Sequence, residues 1–153
     1  MAAGFDHHLT EARLRLAQRK DIADIHRIRL SVSENQLVST TLSESDYVRE
    51  IRASGRGWVI ECRGNIIAFG VANSVTGSIW ALFVDPGHEG LGYGRRLHDR
   101  MVTWLWQEGH EKIWLTTEAN TRARRFYEAA GWTNTGTAPG GELRYELSRQ
   151  PKR

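Results

Sequence analysis

The sequence predicts a single α/β domain, a central twisted mixed β-sheet flanked by helices in the order β-α-α-β-β-β-α-β-α-β-β. Three observations lead there. Between Trp58 and Val84, three short runs rich in β-branched and aromatic residues are separated by turn residues, the pattern of consecutive antiparallel strands. From Tyr93 to Gln107 the period changes, and Leu97, Met101, Trp104 and Leu105 fall on one helical face. A further strand at 112–116 follows that helix, so the two strands on either side of the crossover are expected to be parallel neighbours.

Each element has a local reason. Residues 1–10 and 148–153 are expected to be loose ends of one domain spanning 1–153, with its core at about 14–147. Residues 13–17 alternate Leu14 and Leu16 with polar side chains, a short strand. Asp21 stands where an N-cap is needed for a helix carrying Ile22, Ile25, His26 and Leu30, ending around 33–35. Ser43 is placed to cap a second helix over 44–53 with Tyr47, Val48 and Ile51 inward, and Asp46 loosely completes a capping box. Strands at 58–62 and 66–73 meet at a turn of Arg63, Gly64 and Asn65; Val75, Thr76 and Gly77 turn into the strand at 78–84. Asp85-Pro86 stops that strand, because proline lacks an N–H and biases the residue before it away from the helical region. Gly109 ends the long helix. Residues 121–130 form a short helix with Ala123, Phe126, Tyr127 and Ala130 on one face, stopped by Gly131. Strands at 132–135 and 142–147 flank a Gly/Pro loop, and no repeat or linker interrupts the chain.

Composition narrows the function. With 153 residues, 40% of them hydrophobic and six Trp, the chain can bury a core without disulfides or metal. The net charge of +3 suits an anionic ligand, but the arginines are scattered among acids rather than clustered, which argues against a nucleic-acid partner. The single cysteine, Cys62, makes neither a disulfide framework nor a zinc site, and the pair His7-His8 has no third ligand nearby, so no metal is expected. The longest apolar run, at 66–72, is too short to span a membrane and no signal-peptide core is seen, so a cytoplasmic protein without a membrane partner is expected.

Chemistry is expected just after Val84. Gly87, Gly90, Gly92 and Gly94 precede the long helix, followed by Arg95 and Arg96. Glycine lets another molecule approach the backbone, and a helix start presents free N–H groups with partial positive charge. Together these favour a phosphate. Spacing excludes two phosphate loops. A Walker A loop needs Gly-Lys-Ser/Thr, but Gly94 is followed by Arg95; a dinucleotide loop needs a third glycine where Arg95 stands. A plain glycine-rich connection is the alternative.

A second motif lies downstream, Asn120-Thr121-Arg122-Ala123-Arg124-Arg125-Phe126-Tyr127, closing on Gly131-Trp132. Together with Phe83-Val84-Asp85-Pro86 and Glu89-Gly90-Leu91-Gly92-Tyr93-Gly94, it resembles the GNAT superfamily of acetyl-CoA-dependent N-acetyltransferases. The similarity runs from about Leu14 to Leu147 and includes the element order. It implies transfer of the acetyl group of acetyl-CoA to a primary amine by direct attack. Glu89, Gly90, Leu91, Gly92, Tyr93, Gly94 and Arg95 are the implied phosphate loop, and Leu82, Phe83 and Val84 the edge that meets the pantetheine arm. A main-chain N–H near Phe83 or Val84 is expected to polarise the thioester carbonyl. Asn120 and Arg124, or its neighbour Arg125, are implied further cofactor contacts, and Tyr127 the general acid. The resemblance also allows a homodimer.

Two departures stand out. The family usually has Arg or Gln where this chain has Glu89, an anion expected either to face solvent or to pair with Arg95 or Arg96. The strand at 78–84 lacks the glutamate that many relatives use as a base. Glu34 is the first candidate in its place, because the first inter-helix loop usually walls the acceptor site in this superfamily; Glu118 and a water chain follow. Trp80 and Tyr145 are candidates for lining the acceptor cleft, although core packing explains each more simply. The missing glutamate and Glu89 also support an alternative, a CoA-binding module with little or no catalysis. The acceptor, a small molecule or a peptide or protein amine, is not legible.

Overall fold

The computed structural model describes residues 12–31, 44–53, 55–118 and 122–150. In chain order these form β1 (Ala12–Leu16), a 3-10 turn (Arg19–Asp21), α1 (Ile22–Ser31) and α2 (Glu44–Val48), which runs on as a π-helical stretch (Arg49–Ala53). Then come β2 (Gly55–Cys62), β3 (Asn65–Asn73), β4 (Ser78–Val84), α3 (Tyr93–Gln107), β5 (Lys112–Thr117), α4 (Arg122–Ala129), β6 (Thr133–Thr137) and β7 (Leu143–Ser148). This is the expected order, with β4 and α3 at their expected bounds. All strands join one seven-stranded sheet, ordered β1-β2-β3-β4-β5-β7-β6.

The sheet is covered on both faces, and β3 shows it best. Every residue of β3 after Asn65 is buried, as a near-continuous apolar run requires when both faces are covered. On one face Ala68, Ile67, Leu97, Met101 and Leu105 share a core with Tyr127 and Trp132. On the other, Phe69 and Val71 meet Ile25, Ile28 and Tyr47 from α1 and α2. The β2–β3 hairpin turns on Arg63 and Gly64, with φ of 52° and 80°, the paired positive values that fit the twist of a two-residue connection.

Local expectations are corrected in three places. Asp21 does not cap α1. It is 3% exposed in the 3-10 turn, where its carboxylate accepts two bonds from Arg15, at 2.9 and 3.0 Å, and one from the Gln18 N–H at 2.7 Å. Burial opposes its charge, but these donors outweigh burial and hold the carboxyl below its ordinary range. The last turn of the second helix is π rather than α. Trp132 does not open β6; it turns into the core, 4% exposed, with its N–H on the Tyr127 carbonyl at 3.0 Å. The Ser43 cap and the expected end of the first helix lie outside the described residues.

Two features of β4 place the site. Its antiparallel register with β3 slips by one residue, since Val71 faces Ala81 while Ala72 faces Ile79. Trp80 is therefore the extra residue of a β-bulge, which bends the strand and re-aims the residues that follow. On its other side β4 runs parallel to β5, but the two pair only at Ser78 and Trp114. Beyond that bridge they diverge, and a gap opens beside Leu82, Phe83 and Val84.

Candidate active site

The gap continues into a cleft of about 390 Å³ between the end of β4 and the first turns of α3 and α4. Leu82, Phe83, Val84, Glu89, Gly90, Gly92, Tyr93, Gly94, Arg95 and Tyr127 all line it, so most of the residues singled out in the sequence converge here. Gly92 is the N-cap of α3, with φ 86° and ψ 4°. Gly90 is also left-handed, with φ 78°. A Cβ at either glycine would meet nothing within 4 Å, so this backbone presents an open face. The first α3 amide taken up within the helix is that of Arg96, bonded to the Gly92 carbonyl at 3.1 Å. Those before it are the orphan donors of a helix start, where the helix dipole adds positive potential. Gly94 forms the floor; its Cβ would touch Val84 at 3.6 Å and Phe126 at 3.7 Å.

Tyr127 stands in the opposite wall, 6% exposed. Its ring packs edge-on against Phe126 and Trp132, at centroid distances of 5.2 and 5.6 Å, and is tilted against His98 at 6.5 Å. Burial pushes its hydroxyl well above the ordinary phenol value, so it keeps its proton at neutral pH.

The charges around the mouth differ from expectation. Glu89 pairs with neither Arg95 nor Arg96; its partner is Arg122, the first residue of α4, and the pair crosses from one side of the cleft to the other. Arg95 instead reaches Asp99 at 3.0 Å, and Arg96 donates to the Ala12 carbonyl at 3.4 Å. Arg124 turns toward Glu128, at 3.2 Å, while Arg122 lines the cleft. Tyr145 is fully buried and donates to the same Glu128 at 2.6 Å, a packing role. Leu91 is 49% exposed. Trp80 belongs to the α1 and α2 face, edge-on to Tyr47 at 5.7 Å, with the Arg29 guanidinium 5.2 Å above its ring. Glu118 is half-buried just past β5, and Glu34 and Asn120 lie outside the described residues.

His88, Arg122, Ala123 and Phe126 also line the cleft and were not picked out as site residues. For three of them the signal was present. Arg122, Ala123, Phe126 and Tyr127 stand at i, i+1, i+4 and i+5, one continuous helical face. Nothing in the sequence marks His88. Among the described residues, no cluster of His, Cys, Asp and Glu could hold a metal ion, and no helix is long and apolar enough to cross a membrane.

The sheet thus parts beside a glycine-built helix start, and a protonated tyrosine stands across the gap. The profile of the Acetyltransferase (GNAT) family matches residues 19–132, and the chain belongs to that family. It is 44% identical over 64 residues to a mycothiol acetyltransferase of Beutenbergia cavernae, covering 41% of this chain and 22% of that protein. It is 30% identical over 71 residues to a [ribosomal protein bS18]-alanine N-acetyltransferase of Haemophilus ducreyi, covering 44% of this chain and 49% of that one. The chain thus spans less than half the length of these relatives. The fold matches the ribosomal-protein-S18-alanine N-acetyltransferase of Escherichia coli, with a TM-score of 0.73 at 17% identity over 93% of this chain and 96% of that one. It also matches the PaiA N-acetyltransferase of Thermoplasma acidophilum in complex with coenzyme A, with a TM-score of 0.72 at 12% identity over 90% and 98%.

Proposed function

We propose that this chain transfers the acetyl group of acetyl-CoA to a primary amine by direct attack, with Tyr127 as the general acid. The observation that carries the reading is the shared cleft: the open glycine backbone, the free edge of β4 and Tyr127 all line one space. The residues present fit acetyl-CoA. Amides at Gly92, Tyr93, Gly94 and Arg95, with the dipole of α3, suit its diphosphate. When bound, acetyl-CoA supplies a thioester that an amine can attack.

The β4 edge is suited to the acyl end. The Asp85 N–H is taken by the Ile67 carbonyl at 2.9 Å, so Asp85 points its main-chain groups toward β3. Main-chain groups alternate along a strand, so Val84 points its N–H the other way, into the gap left by β5. That amide is the proposed donor to the thioester carbonyl. Tyr127 holds its proton and offers it to the departing sulfur. A free thiol has a pKa of about 8.5 and a phenol about 10, so full transfer is uphill and a hydrogen bond to the developing thiolate is the main contribution. Glu34 and Glu118 remain the candidate bases, and Asn120 and Arg124 proposed outer contacts of the cofactor.

The test follows thiol release from acetyl-CoA with a panel of small-molecule amines and peptide N-termini, beside calorimetric titration of acetyl-CoA alone. Saturable binding with release to at least one amine is expected. Binding without release to any amine would favour the binding-module alternative, and absence of binding would remove the reading.

Glu89 gives a sharper prediction. Its carboxylate adjoins the diphosphate seat and holds Arg122 at the mouth. Glu89→Gln removes a repulsion worth about 1 kcal/mol at such a surface, so acetyl-CoA should bind roughly fivefold tighter. The gain should shrink as salt is raised. A Kd unmoved at low salt would show that Glu89 does not act on the cofactor.

A further inference from the structure

Behind the cleft wall a line of polar side chains runs through an apolar layer. Trp132 Nε1–H donates to His98 Nε2 at 2.9 Å. His98 Nδ1 lies 2.8 Å from Asp99 Oδ1, and the same oxygen accepts from Arg95 Nε at 3.0 Å. His98 is 3% exposed and Trp132 is 4% exposed. An indole N–H only donates, so His98 Nε2 is the acceptor and carries no proton. The ring's single proton therefore sits on Nδ1 and is donated to Asp99.

We propose that His98, as this neutral Nδ1–H tautomer, is a positioning residue that fixes the ring of Tyr127 in the cleft. It acts in two ways. It orients Trp132, whose ring and main-chain N–H both rest on Tyr127, and its own ring packs against Tyr127 and Phe126. Of the three rings around Tyr127, only that of His98 can take up a proton in acid, and burial holds its pKa below the ordinary histidine value. A second proton would set an N–H against the indole N–H, break that bond and loosen the wall. Burial favours the neutral ring, Asp99 opposes this and Arg95 supports it. From α4 the titratable group facing it is Tyr127, which stays uncharged over the working range. The proposal rests on the reading of Tyr127 as the acid.

The test uses three variants of the full chain beside Tyr127→Phe. His98→Phe keeps the ring but offers no acceptor, and should lower kcat by about tenfold or more while acetyl-CoA Kd stays within about twofold. His98→Gln can still accept from Trp132 and should recover most of kcat at neutral pH, without the His98 part of the acid limb. Asp99→Asn changes an exposed residue and removes the anion that favours protonation, so the acid limb should move to lower pH. The amine acceptor is the same throughout, so its own titration cancels between variants. Nitrogen and proton NMR of the wild type should show a Nδ1–H tautomer, with the Trp132 indole proton shifting on the same acid titration. An Nε2–H tautomer, or wild-type kcat in His98→Phe where Tyr127→Phe is slow, would overturn the positioning role. Should the NMR result hold while both Tyr127→Phe and His98→Phe keep wild-type kcat, the acid reading of Tyr127 fails and the proposal goes with it.

Discussion

Tyr127→Phe lowers kcat by about a hundredfold and leaves acetyl-CoA affinity within about twofold, the result expected if the hydroxyl acts as acid and the ring as wall. The substitution removes one oxygen and keeps the packing against Phe126, Trp132 and His98. Binding and stability near neutral pH should therefore survive, and the loss should fall on turnover. Steady-state kinetics beside calorimetric binding separate the two, and an undiminished kcat would dismiss Tyr127 as the acid. The same burial has a consequence at high pH. The folded phenol is held protonated above its ordinary value, while that of the unfolded chain ionises at about 10. The unfolded state then binds fewer protons, so stability falls as pH rises above that point. Tyr127→Phe should remove its share of that loss.

Gly92→Ala should weaken acetyl-CoA binding by roughly tenfold to a hundredfold, since a side chain at φ 86° is strained by about 1–2 kcal/mol and would enter the open face of the cradle. A matched control sits just past the other end of α3. Gly109 has φ 99°, and a Cβ there would also meet nothing within 4 Å. Gly109→Ala should lose similar stability and keep its affinity. Thermal unfolding and calorimetry of both variants isolate the cradle from the backbone strain. Equal loss of affinity at the two positions would mean that the cradle does not hold the diphosphate.

The sequence made β4 and α3 legible to the residue because each is bounded by residues with one physical role. Pro86 cannot continue a strand, Gly92 takes a left-handed turn into a helix, and the apolar period of 93–107 has no competing reading. The cleft was legible for a related reason, since its backbone cradle and Tyr127 depend on where elements end. What escaped was the pairing of long charged side chains. Glu89 finds Arg122, 33 residues on, and Asp21 finds Arg15 instead of the amides of α1. Such partners are set by how loops and strands lie in space, and local spacing carries no record of that. Arg124 stands two residues, about 200° of helical rotation, from Arg122, and so belongs to a different face, where it meets Glu128. The bulge at Trp80 was invisible because alternation in 78–84 looks the same with or without one extra residue.

The lone Ser78–Trp114 bridge makes the sheet two ribbons joined at one stitch, β1 to β4 on one side and β5 to β7 on the other. A chain lying in the seam beyond that stitch would give unpaired backbone groups the partners that a neighbouring strand normally supplies. Acetyl-CoA would then be a brace as well as a reactant, and occupancy would be tied to rigidity by mass action. At a concentration 100 times its Kd, such a ligand adds about 2.7 kcal/mol to the folded state.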